Sequence, residues 1–304
     1  MLTLSDTTFG ETLRALRSGT FRLQVGCFSL KVSSDLPTFA HALRTLYETY
    51  PVSLTGGAYH YDIGVNPPSL LRRHFRRNVT FSLSGDSPFQ PMAVEHAHAM
   101  FEWGLNWTIG SYEHDYLILH SAVVEKMGLG VLISATSGSG KSTLAAELAL
   151  HDWRLLSDEM ALIDSDLRLI PCARPISLKN QSIDVIRHRH PGVELGPVAH
   201  DTHKGTIAHL PAPRSSVLNN RETAAPRLIV FPRWSADSTL RLEPVGSGQA
   251  AMRLIDQSFN YSLLGREGFE RLTRLVDTAE AWSLEYASLD DARNTLERLV
   301  NEVA

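Results

Sequence analysis

The residues best suited to chemistry form the run Ala135-Thr136-Ser137-Gly138-Ser139-Gly140-Lys141-Ser142, with Thr143 next. Glycines at 138 and 140 let successive backbone N–H groups curl around phosphate oxygens without a Cβ in the way. A helix starting at Lys141 adds its positive N-terminal dipole. In such a loop the lysine reaches the β- and γ-phosphates of a nucleotide, and the Ser142 hydroxyl serves magnesium. Ala135 stands where the pattern usually opens with glycine, a change that a strand end tolerates. The bland alternative is a chance Gly-Lys-Ser in a glycine-serine loop. Against it stand the apolar run Leu129–Ser134 before the loop and the amphipathic helical stretch Lys141–Leu150 after it.

Asp158-Glu159 comes next, directly after Leu155-Leu156. A carboxylate at a strand end near a phosphate loop holds magnesium, directly or through water. Two adjacent acids can divide the work, one on the metal and one taking the proton of an attacking hydroxyl. The plainer reading is a solvated acidic turn. His120 lies within Leu117-Ile118-Leu119-His120-Ser121, where a histidine among apolar neighbours reads first as a hydrogen-bonded structural residue. Arg174, Lys179 and the His203-Lys204-Gly205 segment are candidate cations for a transferring phosphoryl group, each also readable as a surface charge. His188, His190, His200, His203 and His209 fit no tight zinc spacing, and no cysteine joins them. The run Arg72-Arg73-His74-Phe75-Arg76-Arg77 suits an acidic protein or nucleic acid, but an exposed face is the stronger reading in an acidic chain.

The elements that must position these groups can be read from periodicity. Phe21–Val32 alternates like a strand, and Leu36–Tyr50 has helical spacing with Pro37 in its first turn. Strands are expected at Ala58–Val65 and Val79–Ser84, and a helix at Met92–Trp107 that ends near Gly110. From there the grammar changes. Strands at Tyr116–Val124 and Leu129–Ser134, the glycine loop, a helix, and the short run Trp153–Leu156 ending in the acids form the P-loop order. Further strands are expected at Arg227–Phe231, Leu240–Val245 and Trp282–Tyr286. Helices are expected at Ser247–Ile255, Arg266–Thr278 and Leu289–Val300. The division is therefore an α+β N-terminal domain over 1–110, suited to partner selection, and an α/β P-loop catalytic domain over 111–304.

Bulk properties narrow the classes further. At 304 residues, 43% hydrophobic and 20% charged, the chain suits one large domain or two modest ones. A net charge of −4 gives no global drive toward nucleic acid or anionic membrane. Two distant cysteines, no apolar N-terminal core flanked by basic residues, and no apolar run near ~20 residues lead to an expected cytoplasmic, soluble protein. The Leu-Ser-Gly-Gly signature of ABC ATPases is approximated only by Leu83-Ser84-Gly85-Asp86, ahead of the P-loop. No Asn-Lys-x-Asp guanine reader follows it, so ATP is the better nucleotide.

His120-Ser121-Ala122-Val123-Val124, Gly130-Val131-Leu132-Ile133, the P-loop and Leu155-Leu156-Ser157-Asp158-Glu159 together resemble the catalytic domain of HPr kinase/phosphorylase. The resemblance is clearest over residues 116–190 and closest to the divergent HPr-kinase-related proteins. It implies a core shared with phosphoenolpyruvate carboxykinases, use of ATP and magnesium, a protein serine as acceptor, and assembly into homo-oligomers. It also implies roles: His120 near the reacting phosphate, Asp158 as base, and Glu159 as metal ligand in place of the usual second Asp. The family's later Glu-x-Arg-Gly segment is missing, and Arg174-Pro175-Ile176-Ser177-Leu178-Lys179-Asn180 stands there instead. That puts the reverse, phosphorolytic reaction and the usual carrier-protein substrate in doubt. The expected function is an ATP- and Mg-dependent kinase acting on a protein or peptide hydroxyl, without nucleic acid or membrane partners. The alternatives are a small-molecule kinase and a nucleotide-binding regulatory scaffold with little turnover.

Overall fold

A computed structural model describes residues 2–69 and 77–304. Most of the basic run at 72–77 lies outside the described residues. Its last member, Arg77, is exposed.

The N-terminal unit opens with α1 (Phe9–Ser18), which the periodicity reading passed over. Thr8 caps it by accepting from Glu11 N, and Glu11 reaches back to Thr8, a reciprocal pair that satisfies two orphan donors. The expected single strand over 21–32 is a hairpin of β1 (Arg22–Val25) and β2 (Phe28–Ser33). The turn falls at Gly26, with φ of 56°, where a Cβ would lie 2.4 Å from Pro171 O. Only glycine fits both the backbone and that approach. The unit continues through α2 (Pro37–Leu46), β3 (Val52–Ser53), β4 (Tyr61–Asn66), β5 (Asn78–Leu83), β6 (Met92–Ala93) and α3 (Ala97–Tyr112). The six strands form one sheet in the order β3-β1-β2-β4-β5-β6. Helix α3 passes through Gly110 and ends at Tyr112.

The second unit starts with β7 (Leu117–Leu119), β8 (Ser121–Lys126), β9 (Leu129–Ser134), α4 (Lys141–Ala149), β10 (Arg154–Ser157), β11 (Ala161–Ile163) and β12 (Leu169–Ile170). Next come β13 (Ile176–Lys179), α5 (Gln181–Arg189), β14 (Ala199–Thr202), β15 (Gly205–Leu210) and α6 (Arg214–Leu218). The chain closes with β16 (Ala225–Trp234), β17 (Arg241–Pro244), α7 (Ser247–Ile255), α8 (Tyr261–Leu264), α9 (Arg266–Thr278), β18 (Glu280–Tyr286) and α10 (Leu289–Val303).

The main sheet runs β10-β8-β9-β16-β18-β17. Its centre, β9-β16-β18, is parallel, and the flanking strands are antiparallel. In such sheets ligands gather beyond the carboxyl ends of parallel strands, and here the P-loop leaves the carboxyl end of β9. Two three-stranded sheets, β12-β11-β7 and β13-β15-β14, stand beside it.

Two features differ from expectation in ways that matter for the site. The strand expected over 116–124 breaks at His120, with β7 in one sheet and β8 in another. Helix α4 is not amphipathic. Lys141, Leu144, Ala145, Ala146, Glu147, Leu148 and Ala149 are all buried, because β-strands lie on one side and α5 and α10 on the other. One hydrophobic cluster runs from Leu4 through Phe101, Leu144 and Ile176 to Val300, so the two units share a core. No helix among the described residues is long and apolar enough to cross a membrane.

Candidate active site

The P-loop connects β9 to α4 with Thr136, Ser137 and Gly138 exposed. Gly138 and Gly140 have φ of 88° and 92°, the left-handed region that turns consecutive N–H groups toward one side. Ser139 N closes the turn on Thr136 O at 3.3 Å, and the Thr136 and Ser139 hydroxyls lie 3.1 Å apart. The loop is backed by the ends of the other two parallel strands. Trp234 N donates to Ser139 O at 3.1 Å, and a Cβ on Gly140 would lie 2.9 Å from Tyr286 Oη. Ala135 is half-buried at the strand exit, and Ser142 and Thr143 are half-buried at the helix start.

Lys141 is buried, and its Nζ donates to Asp158 O at 3.0 Å. The P-loop and the acid pair are therefore one site. The reason lies in how two strand pairs cross between sheets. β10 pairs with β8 in the main sheet, and β11 pairs with β7 in the small one. Both crossings fall at the same level, His120 on one chain segment and Asp158-Glu159-Met160 on the other. The second is closed by Met160 N donating to Ser157 Oγ at 3.0 Å. His120 Nε2 thus lies 3.0 Å from Glu159 Oε2. His120 also packs edge-on against Phe259, and its backbone N–H donates to Gln257 O. The alternative of a purely solvated acidic turn does not describe this place, since Asp158 is only 3% exposed.

The two acids are pushed in opposite directions. Burial raises Asp158 above the ordinary carboxylate range, and the neighbouring Glu159 charge adds to this. Lys141, the Ser177 N–H and the nearby Ser142 hydroxyl pull the other way without cancelling it. Burial also opposes ionisation of Glu159, but the His120 hydrogen bond and the charges of Lys141 and Lys179 outweigh it and hold Glu159 well below its usual value. Asp158 Oδ2 accepts from Ser177 N at 3.0 Å, while its buried Oδ1 has no hydrogen-bond partner among the described residues. A buried carboxylate oxygen left open beside a phosphate loop fits a cation or an incoming hydroxyl. Ser142 and Glu159 supply the oxygen donors that magnesium prefers.

The remaining predicted residues divide. Lys179, at the end of β13, places Nζ 4.0 Å from Glu159 Oε1. Lys204 lies on the tip between β14 and β15, with Nζ 5.3 Å from the centre of the Trp103 ring. Arg174 is buried and engaged with the N-terminal unit. Its guanidinium pairs with Glu102 at 3.5 Å and with Asn106, and Tyr47 donates to the same Glu102 at 2.5 Å. The histidines scatter: His188 bonds Asp184 O, His190 bonds Glu147, and His203 packs on Trp103.

Sequence reasoning missed several contributors. Ser177 fixes Asp158 through its backbone N–H, and the signal was absent because any residue on β13 could supply it. Opposite Ser177 in register, His209 faces His98, both buried. Burial pushes them down to about 3 and about 4, so they are neutral at pH 7. Trp103, Trp234 and Tyr286 come from distant elements with no motif to mark them. Glu147, His151 and His190 bring potential ligand atoms within 4.8 Å of one another. Yet Glu147 already accepts from Arg189 at 2.7 Å and Arg293 at 2.9 Å. Two guanidiniums disfavour a cation there, and the cluster is an ion-pair hub that ties α4 to α5 and α10.

The fold and this arrangement define a P-loop protein of mixed α/β build. Comparison with known sequences narrows the class. HPr kinase/phosphorylase from Streptococcus thermophilus is 34% identical over 83 residues, 27% of this chain and 21% of that protein. HPr kinase/phosphorylase from Geobacter sulfurreducens is 31% identical over 70 residues, 23% of this chain and 20% of that protein. Over about a quarter of its length, then, the chain is similar to HPr kinase/phosphorylases. The chain spans about a fifth of the length of these relatives. Among solved structures, the Hpr(Ser) kinase/phosphatase from Coxiella burnetii aligns at 13% identity over 61% of this chain and 94% of that one. The TM-score of that alignment is 0.28. No family model matches the chain.

Proposed function

We propose that the protein is an ATP- and magnesium-dependent kinase that transfers the γ-phosphoryl group to a hydroxyl, a serine for preference, of a protein or peptide. The observation that carries this reading is the split between two adjacent carboxylates beside the P-loop lysine, one raised by burial and one held ionised. Titratable neighbours pushed apart in this way are how a site assigns one group to metal and the other to a proton.

Backbone N–H groups of residues 136–141 and the Lys141 ammonium hold the β- and γ-phosphates. Ser142 and Glu159 would hold magnesium, which would supply positive charge against the phosphates. His120 keeps Glu159 ionised and oriented. Asp158 Oδ1 takes the proton of the acceptor hydroxyl. As the acceptor oxygen bonds to the γ-phosphorus, the bond from that phosphorus to the β–γ bridging oxygen breaks, and its electrons leave with ADP. Burial raises Asp158 above an ordinary carboxylate, and so makes its ionised form a stronger base for that proton. The N-terminal unit selects the acceptor through α3, whose Trp103 and Glu102 sides reach the second unit.

Substitution of the base tests these roles. Asp158→Asn is expected to bind a fluorescent ATP analogue with magnesium as wild type does and to transfer no phosphoryl group. Loss of nucleotide binding in that variant would instead make Asp158 a metal ligand and leave the base unassigned.

A further inference from the structure

The chain has five lysines, and three of them, Lys141, Lys179 and Lys204, gather at this site. The other two are committed elsewhere, Lys31 to Asp62 at 2.7 Å and Lys126 to Glu297 at 3.1 Å. Lys141 belongs to the phosphate loop. Lys179 comes next, against Glu159, and Lys204 lies beyond it. The charges that reach Lys204 are those of Lys179 and Glu159 rather than Lys141, and burial and the Lys179 charge lower its pKa. Glu159 therefore faces the charges of His120, Lys141, Lys179 and Lys204, while Asp158 shares Lys141.

The two outer lysines are held together deliberately by the backbone. Asn180, directly after Lys179, has φ of 51° and ψ of −123°, a strained conformation for a non-glycine residue. Its N–H donates to Thr206 O at 2.9 Å, and its Oδ1 accepts from Thr206 N at 3.1 Å. Those bonds tie the end of β13 to the hairpin that carries Lys204. On the hairpin, Thr202 Oγ1 donates to Gly205 O and accepts from Lys204 N, which fixes the tip. Trp103 forms a shelf beneath, with Lys204 over its face and His203 stacked edge-on with ring centres 4.7 Å apart. A strained connection that ties together the two elements carrying these ammoniums favours a ligand that carries negative charge.

We infer that Lys179 and Lys204, beside Trp103, bind an acidic side chain of the acceptor, so that the acceptor is a peptide segment with Asp or Glu within a few residues of the phosphorylated serine. The inference rests on the kinase reading above and names its substrate class. The nucleotide does not need these lysines, since the P-loop amides and Lys141 already serve its phosphates.

The test uses three fluorescent peptides of equal length with a central Ser flanked by Asp, Ala or Lys. Each is titrated by anisotropy against the full chain, with and without magnesium and a non-hydrolysable ATP analogue. The Asp peptide is expected to bind about tenfold more tightly than the Ala peptide, a preference that fades as salt rises. In Lys204→Gln that preference should fall to within about twofold, Lys204→Arg should restore it, and nucleotide affinity should stay unchanged. Equal binding of the three peptides overturns the inference. So does a Lys204→Gln variant that loses nucleotide affinity as much as peptide affinity, because the lysine would then serve phosphate. Failure of the wild-type chain to bind the ATP analogue counts against the kinase reading, while the nucleotide-free peptide titration still decides the lysine pair.

Discussion

Two glycines of one loop should fail in different ways. Gly138 and Gly140 both have φ near 90°, so an alanine at either costs about 1–2 kcal/mol in backbone strain. At Gly138 an added Cβ meets no atom of the described residues within 4 Å. At Gly140 it would lie 2.9 Å from Tyr286 Oη and 3.1 Å from Trp234 Cβ. Tyr286 is fully buried on β18 and Trp234 ends β16, so neither can retreat without moving the sheet. Overpacking of that kind adds about 1–3 kcal/mol. Gly138→Ala should therefore lose about 1–2 kcal/mol, and Gly140→Ala about 2–5 kcal/mol. Both should lose nucleotide affinity, since each displaces the N–H groups that face phosphate. Urea unfolding read by tryptophan fluorescence gives the stabilities, and titration with a fluorescent ATP analogue gives the affinities. Equal stability losses at the two positions would refute the reasoning that Tyr286 and Trp234 brace the loop.

Other expectations follow from the same geometry. Glu159 is held below its ordinary value of 4.5, so it stabilises the fold above that value and ceases to as pH falls through its folded pKa. Glu159→Gln should cost about 2 kcal/mol at pH 7, with the difference from wild type shrinking in acid. Asp158 is raised, so its contribution is present at low pH and lost as pH rises through its folded pKa. Asp158→Asn should therefore raise the urea midpoint at pH 7. Arg174→Ala leaves Glu102 buried without its cation and should cost about 3–5 kcal/mol in the same assay. At the Glu147 hub, neither zinc nor EDTA should shift the midpoint, whereas Glu147→Ala should cost about 1–3 kcal/mol, since Arg189 and Arg293 lose one carboxylate but keep Asp290.

The P-loop and its strand and helix were legible because their chemistry is written in consecutive residues. Lys141 must follow Gly140, and a strand must precede the loop. The acid pair was legible for the same reason, as two carboxylates at the end of an apolar run. What could not be read was how strands divide between sheets. An apolar stretch from Tyr116 to Val124 gives no sign that it changes sheet at His120, yet that change brings the imidazole to Glu159. Gly26 hid a hairpin inside an alternating run, because alternation survives a two-residue turn. Helix α4 read as amphipathic only because Glu147 is charged. In the fold that charge is buried among arginines supplied by α5 and α10. The Lys179–Lys204 pairing depends on Asn180 and Thr206 meeting across the β13–β15 register, which no linear spacing encodes.

The central claim, that this site moves a γ-phosphoryl group, is tested most directly by incubating the full chain with γ-labelled ATP, magnesium and an extract of its own cells. Lys141→Ala serves as the control. The account predicts a labelled protein or peptide that is absent with Lys141→Ala, although that variant unfolds cooperatively in urea. Tight ATP binding with label transferred to nothing would contradict it and favour a nucleotide-sensing scaffold.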